Sequence, residues 1–386
     1  MDVFINKVSK FLPNSPIGND EMENVLGMIN DKPSRARSIV LRQNGIKQRY
    51  YSLFPNQKIN TKSTELKISH TNAELAAEAI QRLFDSNVKL ENVQLLCCGT
   101  SAPDQFLPSH TSMVHGILKG HALEIVSPSG VCLSSAHAMK VAYMAIKSGE
   151  SCCAVCSGSE MVSPGFHASK YEAECAKTEE IEGNPYIAFD KDFLRFMLSD
   201  GAGAALLENK KRGNISLKIE WIESVSYANK NETCMYLGGE KLPNGELKSW
   251  KVMRGQEWLD KSIFAIRQDF KLLGKEVIGC WIEHLTTSFK KHDIDTFESI
   301  DYFVPHFSSM FFGNKLKEEM KENGIEIPYE KWFFNLPEIG NVGSASIYIA
   351  LEELFNSGKL IKGERIILAI PESGRFSYMT ASLKVT

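Results

Sequence analysis

The sequence predicts an α/β protein built from two duplicated halves, residues 1–212 and 213–386. Two observations support this prediction. Apolar strands alternate with helical segments, and the alternation occurs twice along the chain. In addition, two segments 209 positions apart share the order strand, turn, small-residue helix and Ser-Gly end. We therefore expect two α/β halves whose sheets enclose central helices, in a layered αβαβα sandwich.

The repeat carries small and polar residues at equal spacing. The first copy has Pro128, Cys132, Ser135, Ala136, Ser148 and Gly149, and the second has Pro337, Asn341, Ser344, Ala345, Ser357 and Gly358. The same offset pairs Cys97 with His306. Because the equivalent loops of a duplicated fold meet at one place, we expect Cys132, His306 and Asn341 to lie together.

The predicted elements follow in chain order from these patterns. Residues 3–5 form an edge-like strand, and residues 72–85 form a helix in which Leu75, Ala79 and Leu83 recur at helical spacing. The first half continues with strand 93–98, helix 111–118, strand 123–126, the Cys132 helix, and strands 153–157 and 200–207. The second half has strand 215–226, helices 257–273 and 277–290, strand 302–304, helices 314–323 and 344–355, and a hairpin of 365–370 and 378–385. The glycines of residues 200–204 indicate close backbone packing, because Gly-x-Gly precedes its strand here and a dinucleotide fingerprint follows one.

The composition limits the function classes open to the chain. Its 386 residues are 43% hydrophobic and carry a formal net charge of −3, which gives no electrostatic basis for binding nucleic acid. No apolar run reaches the roughly 20 residues of a membrane helix, and the first residues lack a signal-peptide pattern. The nine cysteines are typical of buried thiols in a reducing cytoplasm, so we predict a cytoplasmic protein. Cys153-x-x-Cys156 has no second ligand pair, and we predict neither a metal site nor a cofactor.

Three residues at the repeated loops have the chemistry of a thioester-handling site. Cys132 is predicted to open a helix, whose N-terminus carries about half a positive charge and would lower the pKa of the thiol. The alternative is a buried structural cysteine. His306 ends a strand, where a histidine that simply packs in the core or at the surface is the alternative. Asn341 could equally be an ordinary N-cap of the following helix.

With these residues in place, the chain resembles a β-ketoacyl-acyl-carrier-protein synthase III of the thiolase superfamily. The resemblance runs from about Val3 to Val385 and includes the Cys132 helix. It rests on residues 42–49 (RQNGIKQR), 99–106 (GTSAPDQF), 200–204 (DGAGA), 304–306 (VPH), 340–345 (GNVGSA) and 373–378 (SGRFSY). The order and spacing of the Cys, Pro-His and Gly-Asn motifs are specific.

The resemblance implies a thiolase-like fold and a role for each motif residue. Cys132 would accept an acyl group from a thioester, with its backbone N–H as half of an oxyanion hole. His306 and Asn341 would stabilise the enolate-like oxygen of the second substrate, where both can donate hydrogen bonds. Phe106 would cross the interface of a homodimer into the partner's acyl pocket.

Three departures from the family pattern bear on the substrate. Ile39 stands where members that start from coenzyme A have a tryptophan, which favours an acyl-carrier-protein donor. Arg375 replaces the third glycine of a C-terminal glycine loop; its side chain enters the site or forms a structural ion pair. Glu160 follows strand 153–157 near the Cys132 pocket, where it could act as a base or could pair with an arginine or cap a helix.

These departures favour a ketosynthase/cyclase branch that builds cyclohexanediones, the precursors of dialkylresorcinols. Such an enzyme joins a β-ketoacyl thioester to an α,β-unsaturated acyl thioester and then closes the ring. The alternatives are a malonyl-dependent initiating synthase III of fatty acid or polyketide synthesis, and a non-catalytic partner subunit of a ketosynthase heterodimer.

Overall fold

A mixed sheet of nine strands runs through the part of the chain that the structure, a computed structural model, describes: residues 1–29, 32–34, 37–57, 65–172 and 193–386. The strands are β1 Phe4–Phe11, β2 Ile17–Gly18, β3 Gln48–Arg49, β4 Leu95–Gly99, β5 Glu124–Val126, β6 Cys153–Glu160, β7 Gly201–Glu208, β8 Leu217–Ser226, β9 Met235–Tyr236, β10 Gly239–Lys241, β11 Leu247–Ser249, β12 Arg267–Gln268, β13 Tyr302–Pro305, β14 Arg365–Glu372 and β15 Ser377–Val385. The helices are α1 Met22–Leu26, α2 Arg37–Asn44, α3 Asn72–Gln81, α4 His110–Leu118, α5 Ser134–Ser148, α6 Gly255–Asp260, α7 Phe270–Lys291, α8 Met310–Glu322, α9 Leu336–Ile339 and α10 Ser346–Phe355.

The order of the nine strands repeats on either side of one junction. The sheet reads β13-β14-β15-β8-β1-β7-β6-β4-β5, and β8 meets β1 through a short antiparallel contact. Outward from there, β1-β7-β6-β4 and β8-β15-β14-β13 share the same directions: antiparallel, antiparallel, then parallel. The predicted duplication is confirmed. The boundary at residues 212 and 213 falls between β7 and β8 and stays a prediction.

The helices cover the sheet in the predicted αβαβα layers. In β4, Leu96 and Cys98 face the cluster of α3 and α4, whereas Leu95 and Cys97 face the central layer, as the alternation of a strand requires. The central layer holds α5 and α10 between the two halves of the sheet. On the far side, α7 and α8 pack against β14 and β15. None of the helices in the described residues is both long and apolar enough to cross a bilayer.

Three strand glycines let the central helices lie directly on the sheet. A Cβ atom on Gly99 would stand 2.3 Å from the carbonyl carbon of Ser134, and one on Gly203 would stand 2.5 Å from the Cβ of Tyr348. At Gly158 the nearest atom would be the Cβ of Ser135, at 2.5 Å. The predicted close backbone packing is confirmed for Gly203, and these contacts fix the start of α5, and with it the turn of Cys132.

We expect Gly158→Ala to destabilise the protein by about 2 kcal/mol or more, because the added methyl group overlaps both Ser135 and the carbonyl oxygen of Ser344. Urea unfolding measures the change in free energy. Gly116→Ala is the matched control, since nothing lies within 4 Å of its added Cβ and alanine favours a helix by about 1 kcal/mol. Equal stabilities for the two variants would contradict this packing.

Two sequence predictions are wrong in the fold. The strand at residues 3–5 was expected at an edge, but β1 lies between β7 and β8 at the centre of the sheet. The helix expected over 257–273 is two helices, α6 and α7. The chain leaves α6 through Ser262, which has φ +44°, and then forms β12 against β9, while Asp269 caps α7 by accepting from the N–H of Leu272. The pairing of β12 outweighs helix propensity there.

Candidate active site

The candidate site lies at the edge of the sheet where β4, β6, β13 and β14 end. There, His306 and Asn341 lie near the thiol of Cys132. Cys132 occupies the turn between β5 and α5, His306 follows β13, and Asn341 lies between α9 and α10. Cys132 lines two cavities: Asn341 and Glu160 line the first with it, and His306 lines the second. The structure therefore brings together the three residues that the repeat singled out.

The pKa of Cys132 moves in the direction opposite to the sequence prediction. Burial raises the pKa of the thiol, and the carboxylates of Glu372 and Glu160 raise it further. Cys132 also precedes the helix, which begins at Ser134. The N–H groups of Val131 and Leu133 donate to the carboxylate of Glu372, at 2.9 and 3.2 Å. The negative charge of that carboxylate therefore offsets the positive potential of the N–H groups in this turn.

His306 is held as a neutral imidazole. The residue is buried, and desolvation lowers the pKa of His306 to about 4. Its backbone N–H donates to the carbonyl oxygen of Ala369 at 2.9 Å, which anchors it to β14. Near neutral pH the imidazole therefore has one N–H to donate and carries no charge.

Asn341 presents its amide NH₂ group through a fixed backbone. Its N–H donates to the carbonyl oxygen of Met197 at 3.2 Å, and its own carbonyl oxygen accepts from the N–H of Ser199 at 2.8 Å. Its Oδ1 accepts from the N–H of Gly343 at 2.9 Å, across a turn in which Gly343 has φ +51°. Asn341 is the N-cap of neither helix that follows, because α10 begins at Ser346 and the short 3-10 helix before it, Gly343–Ala345, has Val342 as its N-cap; the Asn341 side chain still makes a capping-type hydrogen bond to Gly343.

Glu160 is the last residue of β6 rather than a residue after the strand, and it is fully enclosed. Its carboxylate accepts from the N–H and hydroxyl of Ser101, at 3.1 and 2.7 Å, and from the N–H of Ser344 at 3.2 Å. Burial raises the pKa of Glu160, and these hydrogen bonds oppose the rise. Glu160 thus ties the loop after β4 to the loop of Asn341 and lies in the same cavity as Cys132.

Comparisons with known proteins agree with this arrangement. The family model described as "Beta-ketoacyl synthase, N-terminal domain" matches residues 55–213. The model "3-Oxoacyl-[acyl-carrier-protein (ACP)] synthase III C terminal" matches residues 291–374. A Beta-ketoacyl-[acyl-carrier-protein] synthase III from Clostridium novyi (strain NT) is 25% identical over 367 residues, which is 95% of this chain and 94% of that protein. The chain is a ketosynthase III-like condensing enzyme.

Solved structures of condensing enzymes share the fold of this enzyme. AbyA1, a tetronic acid condensing enzyme, superposes with a TM-score of 0.76 at 18% identity, covering 99% of both chains. A single-residue variant of OleA from Xanthomonas campestris superposes with a TM-score of 0.72 at 21% identity, covering 100% of this chain and 98% of that one. The thiolase-like prediction is confirmed.

The side chain of Arg375 does not join the Cys132 site of the enzyme. Its side chain is exposed, its Nε donates to the carbonyl oxygen of Asn231 at 2.8 Å, and it borders an open surface groove. The hypothesis that this side chain enters the site is therefore wrong. The neighbouring Gly374 is buried, and its carbonyl oxygen accepts from the N–H groups of Cys234 and Met235.

Glu372 is the residue at this site that the sequence analysis missed. It ends β14 as Glu160 ends β6, and both strands contain eight residues. Each carboxylate accepts N–H groups from a loop of the other half: Glu160 from Ser344, and Glu372 from Val131 and Leu133. The 209-residue offset pairs Glu160 with Ala369, whereas Glu372 is 212 positions from Glu160, so the two acidic residues correspond only when β6 and β14 are aligned by their ends.

Phe106 packs against its own chain. Its ring stacks on Trp250 with the ring centroids 5.8 Å apart and the planes 9° from parallel. The side chain is still 68% exposed, and the next residue, Leu107, is 85% exposed. The loop thus presents two adjacent apolar side chains to solvent.

The two cavities at Cys132 are small in this structure. Each has a volume of 40 Å³, which is room for a few water molecules and not for an acyl chain. Apolar side chains line most of both: Val162, Met197, Leu198, Met235 and Ile266 in the first, and Leu273, Val277, Ile278, Trp281, Phe307 and Phe312 in the second. Side chains in this lining must move before an acyl chain can reach the thiol.

Proposed function

We propose that Cys132 accepts an acyl group from an acyl-carrier-protein thioester and that the enzyme then forms a carbon–carbon bond with a second acyl thioester. In the first step the sulfur attacks the thioester carbonyl, the bond to the carrier sulfur breaks, and the carrier leaves as a thiol. In the second, the α-carbon of the second substrate loses a proton to a base, or a carboxylate as carbon dioxide, and attacks the acyl group on Cys132; the bond to the Cys132 sulfur breaks, and the sulfur takes up a proton to become a thiol again. The supporting observation is that Cys132 shares one cavity with Asn341 and a second with a neutral His306.

His306 and Asn341 suit the second step because both can donate a hydrogen bond without carrying a charge. The enolate-like oxygen of the second thioester becomes negative in the transition state, and fixed donors stabilise it there. The backbone N–H groups of Cys132 and Arg375 would form the oxyanion hole for acylation.

The finer proposal is that the enzyme joins a β-ketoacyl thioester to an α,β-unsaturated acyl thioester. The joined product then closes to a dialkyl cyclohexanedione, a dialkylresorcinol precursor. Ring closure needs a further proton transfer. Glu160 is the candidate for this proton transfer, because it shares a cavity with Cys132 and Asn341. Burial also makes Glu160 more basic than an exposed glutamate. Ile39 in place of a tryptophan supports an acyl-carrier-protein donor over coenzyme A.

The test is intact-protein mass spectrometry with product analysis, using acyl, enoyl and β-ketoacyl carrier-protein thioesters with and without a malonyl thioester. A ring product from enoyl plus β-ketoacyl substrates, without malonyl, would support the cyclising reaction. A linear, malonyl-dependent product would make the enzyme an initiating synthase. If no thioester left an adduct, the heterodimer-subunit alternative would replace this proposal.

We also propose that the enzyme is a homodimer and that the loop of Phe106 enters the partner. Because Trp250 of the same chain holds the Phe106 ring, Leu107 is the better candidate for the residue that reaches across. A reducing compartment such as the cytoplasm suits the eight free cysteines of the described residues.

We expect Leu107→Glu to raise the dimer dissociation constant by about 100-fold or more, since the interface would bury an unpaired carboxylate. Sedimentation equilibrium measures the constant. Ile361→Glu is the control, because this apolar side chain is also exposed, at 66%, and lies in the loop after α10. If Leu107→Glu and Ile361→Glu dimerised equally well, the loop would lie outside the interface.

A further inference from the structure

The turn of Cys132 is fixed from the opposite half of the enzyme. One oxygen of Glu372, Oε2, accepts from both the N–H of Val131 and the N–H of Leu133, the residues on either side of Cys132. A Cβ on Gly130 would stand only 3.1 Å from the same oxygen. The carboxylate is therefore seated against the backbone of the turn, and hydrogen bonds to a charged acceptor are the stronger kind.

The charges around the thiol are of one sign. Glu372 approaches from the end of β14 and Glu160 from the end of β6, and both disfavour a thiolate at Cys132. His306, which follows β13 and lines the second cavity at Cys132, is neutral because burial lowers its pKa to about 4. On α5, burial lowers the pKa of His137, although Glu372 opposes the shift. Lys140, one turn further on, donates to Ser224.

From this geometry we infer that Glu372 is a positioning residue for Cys132, holding the turn in the geometry for acyl transfer and holding the thiol in its protonated form. The turn consists of Val131, Cys132 and Leu133, and the Glu372 carboxylate accepts hydrogen bonds from its first and third residues. A protonated thiol resists alkylation and oxidation while the site is empty. When a thioester enters, the thiol proton leaves with the departing carrier thiol. This inference rests on the proposed function only in taking Cys132 as the nucleophile.

Three substitutions separate the charge of Glu372 from its hydrogen bonds. Glu372→Gln keeps an oxygen that can accept from both N–H groups and removes the charge. Glu372→Asp keeps the charge and shortens the reach, and Glu372→Ala removes both. Glu364→Gln is the control, because its carboxylate also accepts a backbone N–H, that of Ile361, at an exposed loop before β14.

The first measurement is the rate of iodoacetamide alkylation of Cys132 against pH, read by peptide mass spectrometry without substrate. We expect Glu372→Gln to move the midpoint to lower pH by about one unit, which is about tenfold faster alkylation below the midpoint. Glu372→Asp should keep the wild-type profile. The exposed Cys152 serves as an internal reference in every sample, and its profile should not move. Coincident Cys132 profiles for wild type and Glu372→Gln would overturn the inferred effect of the charge.

The second measurement is the rate of Cys132 acylation by an acyl-carrier-protein thioester. Glu372→Ala should acylate at least about tenfold more slowly than Glu372→Gln, because the turn loses its acceptor. Equal rates would overturn the positioning role. If Glu372→Ala fails to fold, Glu372→Gln and Glu372→Asp still separate charge from reach. Failure of the proposed function would look different: wild type would form no adduct at all, while the alkylation profiles would remain measurable.

Discussion

Replacing Cys132 with alanine is expected to abolish the acyl adduct and all condensation product, a loss of about a thousandfold or more. Cys132 lines both cavities, and the other cysteines of β4 and β6 are buried in the sheet. Intact-protein mass spectrometry after incubation with an acyl-carrier-protein thioester measures the adduct, and the release of product measures turnover.

Cys152→Ala is the matched control for this prediction. Cys152 is exposed and lies in the turn before β6, away from the cavities, so its loss should leave both readouts at the wild-type level. An adduct that persists in Cys132→Ala, or one that disappears in Cys152→Ala, would move the nucleophile away from the site described above.

Replacing His306 or Asn341 with alanine is expected to separate the two chemical steps. Each change removes one uncharged donor, which should slow condensation by about 100-fold to 1,000-fold, while the acyl adduct on Cys132 still forms. Adduct formation by mass spectrometry and product formation by chromatography, measured on the same sample, test the separation.

The double variant, with both His306 and Asn341 replaced by alanine, tests the condensation step in a second way. If both donors stabilise one oxygen, the combined loss should differ from the product of the two single losses, because groups that act as a unit are not additive. A His306→Ala enzyme that fails to form the adduct would show instead that the imidazole takes the proton of the thiol. Asn356→Ala is a control, since this residue is exposed, follows α10 and does not line the Cys132 cavities.

The sequence was informative where the duplication repeats itself. Cys132 and Asn341 could be found because their segments match at a fixed offset, and the same offset pairs His306 with Cys97 at the ends of two equivalent strands, β13 and β4. The layers followed from the doubled strand–helix alternation. The acidic segment 166–189, whose sequence fits either a solvated face or a cap over the site, lies largely outside the described residues.

The sequence was less informative where long-range contacts decide the outcome. The direction of the Cys132 pKa depends first on burial and then on Glu372, which is 240 positions away along the chain and could not be placed beside the thiol from local pattern. The orientation of the Arg375 side chain depends on its hydrogen bond to the carbonyl oxygen of Asn231. The end of the helix at α6 depends on the pairing of β12 with β9. A local pattern contains none of these partners.

The reciprocal placement of Glu160 and Glu372 has a consequence for the history of the chain. Each half supplies the carboxylate that completes the reactive loop of the other, so a single copy would hold neither loop in its present form. The ancestral unit could have met this requirement only by pairing with a second copy of itself.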